Sequence, residues 1–541
     1  MSNEGMLKNM TESRLQKTQR MRMARALEEL GSLQSADRRI FKSSELSEAG
    51  RKLLISQGFL TPVIRGWLMA TDPAARPGDS TPWYAGFWEF CAAYSNERFE
   101  REWYLTAEQS ILIHAENRSV PRQVVILSPR GQNNNIKLPF GTAIFDSNVR
   151  NDGLSRDEIE VREGLNVQTL PSALIRIPQS FFVERPIDAE VALRSLRDTS
   201  LLLSGILNGA HASAAGRLAG GLRHIGRPDE ADRIIATTSR AGMSVSELNP
   251  FMTTGSSVPL HGYTPPIVGR IQALWEKSRE QVINAFPPAP GLPADKASYL
   301  AAVEDSYLLD AYNSLSIEGY RVTPELIERV RSGNWNPDAS ASDRDAENAL
   351  AARGYYLAFE RAKDIVSNIL DGGSPGAAMR RGHIDWYQDL FAPKVQAGLL
   401  QPSSLAGYRN HFIYLRTSRY VPPHKDQVPE GMSALLDLLE QEPEASVRAT
   451  LGHWLLGYIH PFPDGNGRTA RFLMNAMLAS GGYPWTVIKV EDRDSYLSAL
   501  DSASLRGDIA PFAEFVGERV RDGMNCAPEP EYDPPEQDVS P

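Results

Sequence analysis

Apolar residues recur at helical spacing through most of the second half of the chain. From about residue 293 to residue 521 this pattern predicts a domain that is nearly all helix, with one hairpin-like interruption at 412–423. Residues 449–459 form a helical run that should end at His460, because proline disfavours helical backbone in the residue before it. A second helix is predicted to begin near Asn466. The inner faces of these two helices are formed by Leu451, Leu455, Leu456, Ile459, Phe472, Leu473, Met474 and Met477.

The first 71 residues show the order helix, helix, strand ribbon. Residues 1–30 alternate basic and apolar side chains, and residues 43–58 carry capping serines, leucines at helical spacing and a closing glycine. A β-like run follows at 59–69. This order is typical of a winged helix-turn-helix. Residues 1–71 are therefore interpreted as a winged-helix-like module, which resembles the N-terminal modules of some bacterial antitoxin-type regulators.

A mixed α/β domain is predicted for residues 80–245, after a Pro- and Asp-containing linker at 72–79. Short apolar runs at 124–127 and 142–145 indicate strands, whereas 187–207 and 210–235 indicate helices. An aromatic cluster in this region is interpreted as core rather than as a binding surface; it consists of Trp83, Tyr84, Phe87, Trp88 and Phe90. Residues 246–292 are interpreted as a linker around one helix, 267–285, between two Pro/Gly-rich stretches.

Composition places the chain among globular proteins of several domains. It has 541 residues and a net charge of −10, yet residues 1–70 carry twelve Lys/Arg against seven Asp/Glu. That basic end leaves DNA binding open, while the overall charge argues against wholesale nucleic-acid binding. No apolar run approaches the ~20 residues of a membrane span, and two cysteines are too few for a disulfide framework. A cytoplasmic location is expected, and the acidic, Pro-rich residues 522–541 are expected to be disordered.

Candidate chemistry is concentrated in twelve residues, from His460 to Arg471. Histidine titrates near neutrality, so His460 is a candidate general base. Asp464 offers the oxygen ligand that Mg²⁺ prefers. Gly465–Gly467 opens a helix whose unsatisfied N–H groups form an anion site, and Arg468 lies on the same face as Arg471. Such a set can hold a nucleotide triphosphate while a hydroxyl loses its proton.

The string His-x-Phe-x-Asp-Gly-Asn-Gly-Arg-x-x-Arg at 460–471 resembles the signature of the Fic family at every fixed position. The resemblance extends over roughly 293–521. It is also carried by Gly407–Arg409, Tyr420–Pro423, Leu473–Asn475, Tyr496 and Gly507–Phe512. The implied fold is multi-domain and mainly α, with an all-α Fic domain that bears a β-hairpin flap.

The resemblance implies a protein adenylyltransferase that moves AMP from ATP, with Mg²⁺, to a Ser, Thr or Tyr hydroxyl of a target protein. His460 would be the general base, Asp464 would hold the metal, and Tyr496 would line the adenine pocket. The flap would position the target through Thr417, Ser418, Arg419 and Tyr420. The nucleotide-binding residues would be Asp464, Gly465, Asn466, Gly467, Arg468, Thr469, Ala470, Arg471 and Tyr496.

A second string, Ser314-Leu-Ser-Ile-Glu318-Gly319, closes a helical stretch at 299–317 and resembles the inhibitory motif of the same family. In the family, the glutamate pairs with the second arginine of the signature and blocks the γ-phosphate. A Glu318–Arg471 pair is therefore expected, and removal of AMP by the same site stays open. Two positions depart from the family pattern: Tyr320 stands where asparagine is frequent, and Ser504 stands where some relatives have asparagine.

Two other functions are compatible with the sequence. A DNA-binding transcriptional regulator or toxin–antitoxin-type protein would use the winged helix on an operator and the Fic domain as effector. The same module could instead dock a protein. A Fic enzyme that transfers another group is disfavoured because Gly465–Arg468 and Arg471 are intact. The sequence leaves the target and a homodimer open.

Overall fold

The computed structural model describes residues 3–34, 38–73, 78–149, 154–251, 263–333, 346–416 and 418–525. The chain forms two compact units. The first contains Met1–Tyr263 and Tyr414–Val421, and the second contains Thr264–Ile413 and Pro422–Pro541. Helices dominate the described residues, which confirms the mainly α fold class. None of the helices described is long and apolar enough to cross a membrane. The expected linker at 72–79 and the expected disordered tail lie partly outside the described residues.

The first unit begins with two helices and a small antiparallel sheet of order β1-β3-β2. Helix α2 starts where the Ser47 hydroxyl accepts a hydrogen bond from the Gly50 N–H, which satisfies one of the unpaired donors of its first turn. Leu30, Phe41 and Leu54 are buried between the helices and the sheet. A winged helix-turn-helix stays a prediction for this module. Its elements are α1 (Asn3–Leu33), β1 (Ile40–Lys42), α2 (Glu48–Ser56), β2 (Leu60–Ile64) and β3 (Trp67–Ala70).

A four-stranded mixed sheet follows, with strand order β4-β5-β7-β6 and β5 parallel to β7. The aromatic cluster packs against this sheet from α3: the side chains of Trp83, Phe87 and Phe90 are fully buried. The expectation that these aromatic residues form core is confirmed. The elements are α3 (Thr81–Phe99), β4 (Tyr104–Leu105), α4 (Ala107–His114), β5 (Gln123–Ser128), β6 (Asn134–Lys137), β7 (Ala143–Asn148), β8 (Ile159–Arg162) and β9 (Leu165–Gln168).

The two long helices expected at 187–207 and 210–235 are each divided in two. Asp198 accepts hydrogen bonds from the backbone and hydroxyl of Ser200, which starts a new helix there. The second break falls at Gly226, whose φ is +79°, and Pro228 then occupies the first helical position. The helices are α5 (Leu170–Arg176), α6 (Gln179–Glu184), α7 (Pro186–Arg194), α8 (Ser200–Asn208), α9 (Ala212–His224) and α10 (Pro228–Arg240).

The hairpin expected at 412–423 is wrong, since residues 412–416 and 418–423 contain no strand. Residues 414–421 instead belong to the first unit. There the Val120 N–H donates to the Arg419 carbonyl at 2.8 Å, and the Arg419 guanidinium donates to the Val120 carbonyl at 3.3 Å. Tyr420 and Val421 are buried. The Arg419 carbonyl thus accepts a hydrogen bond from the Val120 backbone, and not from a second strand of a hairpin within 412–423.

The second unit is a helical domain. Its core helices are α18 (Ala445–Ile459) and α19 (Asn466–Ala479), whose side chains are almost all buried. The stretch predicted as one helix at 299–317 is two helices, α12 and α13, which meet at Ser306. The other helices are α11 (Pro266–Ala285), α12 (Lys296–Asp305), α13 (Tyr307–Ile317), α14 (Pro324–Arg331), α15 (Ala346–Leu370), α16 (Pro375–Gln396), α17 (Val428–Gln441), α20 (Arg493–Arg506) and α21 (Ala510–Asn525).

Candidate active site

A tight loop between α18 and α19 carries the signature residues. Helix α18 ends at His460, whose φ of 52° and ψ of 59° lie in the left-handed region. Such a backbone is unusual for a non-glycine residue and is often found where function requires it. The Arg409 guanidinium stabilises this end, donating to the carbonyls of His460 at 2.8 Å and Ile459 at 3.4 Å. Buried Arg409 therefore satisfies carbonyls that a helix end leaves without partners.

The imidazole of His460 is prepared to accept a proton. Its Nδ1 lies 3.2 Å from the Gly457 carbonyl oxygen, which can only accept, so Nδ1 carries the hydrogen. The lone pair is then on Nε2. Burial lowers the pKa of His460 to about 4, with the Arg409 charge acting in the same direction. His460 is thus neutral at physiological pH, as a general base must be.

The loop is held rigid by Phe462 and Asn466. The Phe462 ring is fully buried and stacks on Tyr387, with centroids 4.4 Å apart and planes 5° apart. The Asn466 side chain accepts from the Phe462 N–H at 2.9 Å and donates to the Phe462 carbonyl at 2.8 Å. Both ends of the Asn466 amide are therefore used to close the loop. What Asn466 can offer an anion is its backbone N–H, in the first turn of α19.

An anionic side chain already lies at the start of α19. The carboxylate of Glu318 is so close to Gly467 that a Cβ on that glycine would collide with it. Arg471 donates from Nη2 to Glu318 Oε1 at 2.7 Å and from Nε to the Ser314 hydroxyl at 2.8 Å. Burial lowers the pKa of Arg471, but the charge of Glu318, its hydrogen bond to Arg471 and the nearby hydroxyls of Tyr496 and Tyr355 together outweigh this, so the net shift is upward. The expected Glu318–Arg471 pair is present, and Ser314 supports it.

Arg468 is the most deeply enclosed charge of the loop, with 1% of its side chain exposed. None of its guanidinium nitrogens makes a hydrogen bond within the described part of the chain. Its contact with Asp464 is an ion pair at 3.4 Å. A buried cation whose donors lack partners is costly, so the arrangement suits an anionic ligand.

Asp464 is the candidate metal ligand. Its side chain is 58% exposed, and Oδ1 accepts from the Gly465 N–H at 2.6 Å. Among the residues described, no group of three or more His, Cys, Asp or Glu side chains is placed to hold a metal ion. A single exposed carboxylate nevertheless fits Mg²⁺, which in nucleotide sites takes one or two carboxylates and completes its shell with phosphate oxygens and water.

Behind Arg471 lies a set of buried polar groups that sequence reasoning missed in part. Asp310 accepts from the Tyr355 hydroxyl at 2.7 Å, and burial raises the pKa of Asp310 to about 6. Tyr496 is buried with its hydroxyl 2.7 Å from His453 Nε2, and burial lowers the pKa of His453 to about 3. Of these residues, the sequence predicts a role only for Tyr496. Asp310, Tyr355 and His453 lie among apolar residues of their helices, and no motif marks them.

The remaining predicted residues are placed as follows. Thr469 and Ala470 are buried in α19, so their side chains belong to the packed interior. Ser504, the departure noted above, accepts from the Trp454 indole N–H at 3.1 Å. Of the flap residues, Ser418, Arg419 and Tyr420 lie in the segment that packs within the first unit, and Thr417 falls outside the described residues.

Comparison with known proteins places these features in a family context. Residues 383–478 match the model of the Fic/DOC family. The chain is 42% identical over 229 residues to a protein adenylyltransferase Fic of Nematostella vectensis, covering 42% of this chain and 49% of that protein. It is 33% identical over 221 residues to one of Drosophila willistoni, covering 40% of this chain and 41% of that protein. The chain thus spans about half or less of the length of these curated relatives.

Solved structures of Fic proteins also align. A Fic-domain-containing signaling protein of Bacteroides thetaiotaomicron aligns at 20% identity and a TM-score of 0.33, over 46% of this chain and 95% of that one. The Fic-1 fragment of Caenorhabditis elegans aligns at 19% identity and a TM-score of 0.34, over 63% of this chain and 98% of that one.

Proposed function

We propose that this chain, through the Fic domain at 383–478, transfers AMP from ATP to a hydroxyl side chain of a target protein. One observation carries the proposal. The Glu318 carboxylate lies against Gly467 at the start of α19 and is bound by Arg471, so an anion is already accommodated where a phosphate would bind. Relatives that share this half of the chain are named protein adenylyltransferases, which supports the same reaction.

The proposed step is a displacement at the α-phosphorus. The hydroxyl oxygen of the target forms a bond to that phosphorus, and the bond from phosphorus to the oxygen bridging the α- and β-phosphates breaks. Pyrophosphate leaves with the electron pair, and the hydroxyl proton passes to Nε2 of His460. Because little covalent chemistry falls to the protein, positioning and charge stabilisation supply most of the rate.

The phosphates would be bound by the N–H groups of the first turn of α19, by Arg468 and by Arg471. Asp464 would hold magnesium, which would neutralise charge on the phosphate oxygens. In the present conformation Arg471 is occupied by Glu318, and the nucleotide must compete for it. We therefore propose that the enzyme is autoinhibited, with Glu318 as the competing anion.

The proposed AMP transfer can be tested with ATP that carries a label at either its α- or its γ-phosphate. Protein incubated with magnesium and ATP labelled at the α-phosphate should become labelled, whereas ATP labelled at the γ-phosphate should leave it unlabelled. Transfer of γ-label would mean phosphorylation and would contradict the proposal. A chase with unlabelled ATP, or with none, then measures whether the same site also removes AMP, because removal releases the α-label from the modified protein.

The lowered pKa of His460 gives a pH prediction. A base with a lowered pKa stays neutral to lower pH, so kcat/KM for magnesium-ATP, which reports the groups of the nucleotide-free enzyme, should be nearly constant from pH 8 to about pH 6 and fall only as pH approaches about 4. The measurement uses the Glu318→Gly variant at magnesium-ATP concentrations well below KM, with circular dichroism to exclude unfolding. Half-loss of kcat/KM near pH 6.5, the ordinary histidine value, would contradict the assigned role or environment of His460.

A further inference from the structure

Two aromatic rings lie beside the guanidinium of Arg468. Its central carbon is 5.2 Å from the ring centroid of Tyr320 and 5.1 Å from that of Phe391. These distances are within the range of cation–π attraction, which is strongest where the cation is shielded from water. Arg468 is shielded in this way. The rings thus fix a cation whose N–H groups have no hydrogen-bond partner among the described residues.

Tyr320 contacts a second buried cation as well. The ammonium of Lys394 lies 3.3 Å from the Tyr320 hydroxyl and 5.1 Å from its ring centroid. Lys394 is 8% exposed and is also 3.2 Å from the exposed carboxylate of Glu347. One tyrosine therefore lies in contact with two positive side chains.

Tyr320 is also joined to the proposed inhibitory segment by a short and defined backbone. Glu318 is the C-cap residue that follows α13, Gly319 has φ of +91°, and the Tyr320 N–H donates to the Leu315 carbonyl at 3.1 Å. This turn at the end of α13 brings the Glu318 carboxylate to Arg471, and it brings the Tyr320 ring to the guanidinium of Arg468. Both phosphate-binding arginines are in this way contacted by residues two positions apart.

We propose that Tyr320 is a positioning residue for phosphate binding: its ring, together with Phe391, holds the Arg468 guanidinium in place for the nucleotide. The inference rests on the proposed function for the identity of the nucleotide. It adds a role for the residue that departs from the family pattern. Tyr320 does not touch the reacting atoms, so its loss should weaken ATP binding and leave the chemical step nearly unchanged.

The test uses the Glu318→Gly background, in which competition by Glu318 is absent. Tyr320→Ala should raise the Kd for magnesium-ATP, measured by calorimetry, about 10-fold, the scale of one shielded cation–π contact. The value of kcat at saturating ATP should change less than about 3-fold. Tyr320→Phe keeps the ring and should restore the parent Kd to within about 2-fold.

Tyr356→Ala is the matched control, because Tyr356 is also part-buried and also lies over an arginine, Arg353, at 5.5 Å. It should leave the Kd for ATP unchanged. An unchanged Kd in Tyr320→Ala, or a Tyr320→Phe variant as weak as Tyr320→Ala, would overturn the proposal. Calorimetry measures ATP binding whether or not AMP is transferred. If the Glu318→Gly variant bound ATP but transferred no AMP to protein, the proposed function would fail, while the role of Tyr320 in binding could still be judged from the Kd values.

Discussion

Replacing Glu318 by glycine should raise the rate of AMP transfer roughly 10- to 100-fold, the usual range of coupling between two competing ligands. The carboxylate of Glu318 holds Arg471 at 2.7 Å and covers Gly467, so under the proposed function it and the phosphates of ATP would require the same groups. Removing it leaves a buried, positively charged guanidinium without its ion partner. That charge should then favour binding of the triphosphate. The measurement is incorporation of α-label into the protein, compared at equal ATP.

Two further variants separate competition from general loosening of the fold. Glu318→Gln keeps the size of the side chain but removes its charge, and should activate less than glycine because the amide still covers Gly467. Glu491→Gly, at an exposed turn beside Asp492, should leave the rate unchanged. If Glu318→Gly and the wild-type chain were labelled equally, or if Glu491→Gly activated as strongly, competition by Glu318 would be excluded.

The structure of the segment from His460 to Arg471 can be predicted from the sequence because the residues that determine it are close together in the chain. Pro461 ends one helix, Gly465 with φ of +79° begins the next, and the charged residues Asp464, Arg468 and Arg471 are three or four positions apart. The Glu318–Arg471 pair joins residues 153 positions apart, and no spacing rule reaches that far. It was expected only because the family motif indicated it.

Sequence reasoning gives no role to several buried polar residues whose partners come from distant segments. Arg409 caps α18 from 51 residues away, and Tyr355 donates to Asp310 from another helix. Helical periodicity identifies the side of a helix that is buried, but it does not identify the polar partner on the facing element. The flap failed for a related reason, since Arg419 pairs with Val120, which is 299 residues earlier.

Replacing His460 by alanine should reduce AMP transfer by about 100- to 10,000-fold, the range over which positioned general bases contribute. Nδ1 is bonded to the Gly457 carbonyl, and Nε2 is the proposed proton acceptor that alanine lacks. ATP binding should persist, because no phosphate contact is assigned to His460. The comparison is therefore made in the Glu318→Gly background, with calorimetry for binding and α-label for transfer.

The left-handed backbone at residue 460 makes the choice of control important. Alanine adopts a φ near 52° less readily than histidine, so loss of activity in His460→Ala is open to the objection that the loop has rearranged. Asparagine tolerates this conformation better but cannot act as a base, so His460→Asn should bind ATP and remain equally inactive. His411→Ala, at an exposed position, should keep full activity. Transfer by His460→Asn at the rate of its parent would show that the proton leaves by another route, and His460 would then be a loop residue rather than the base.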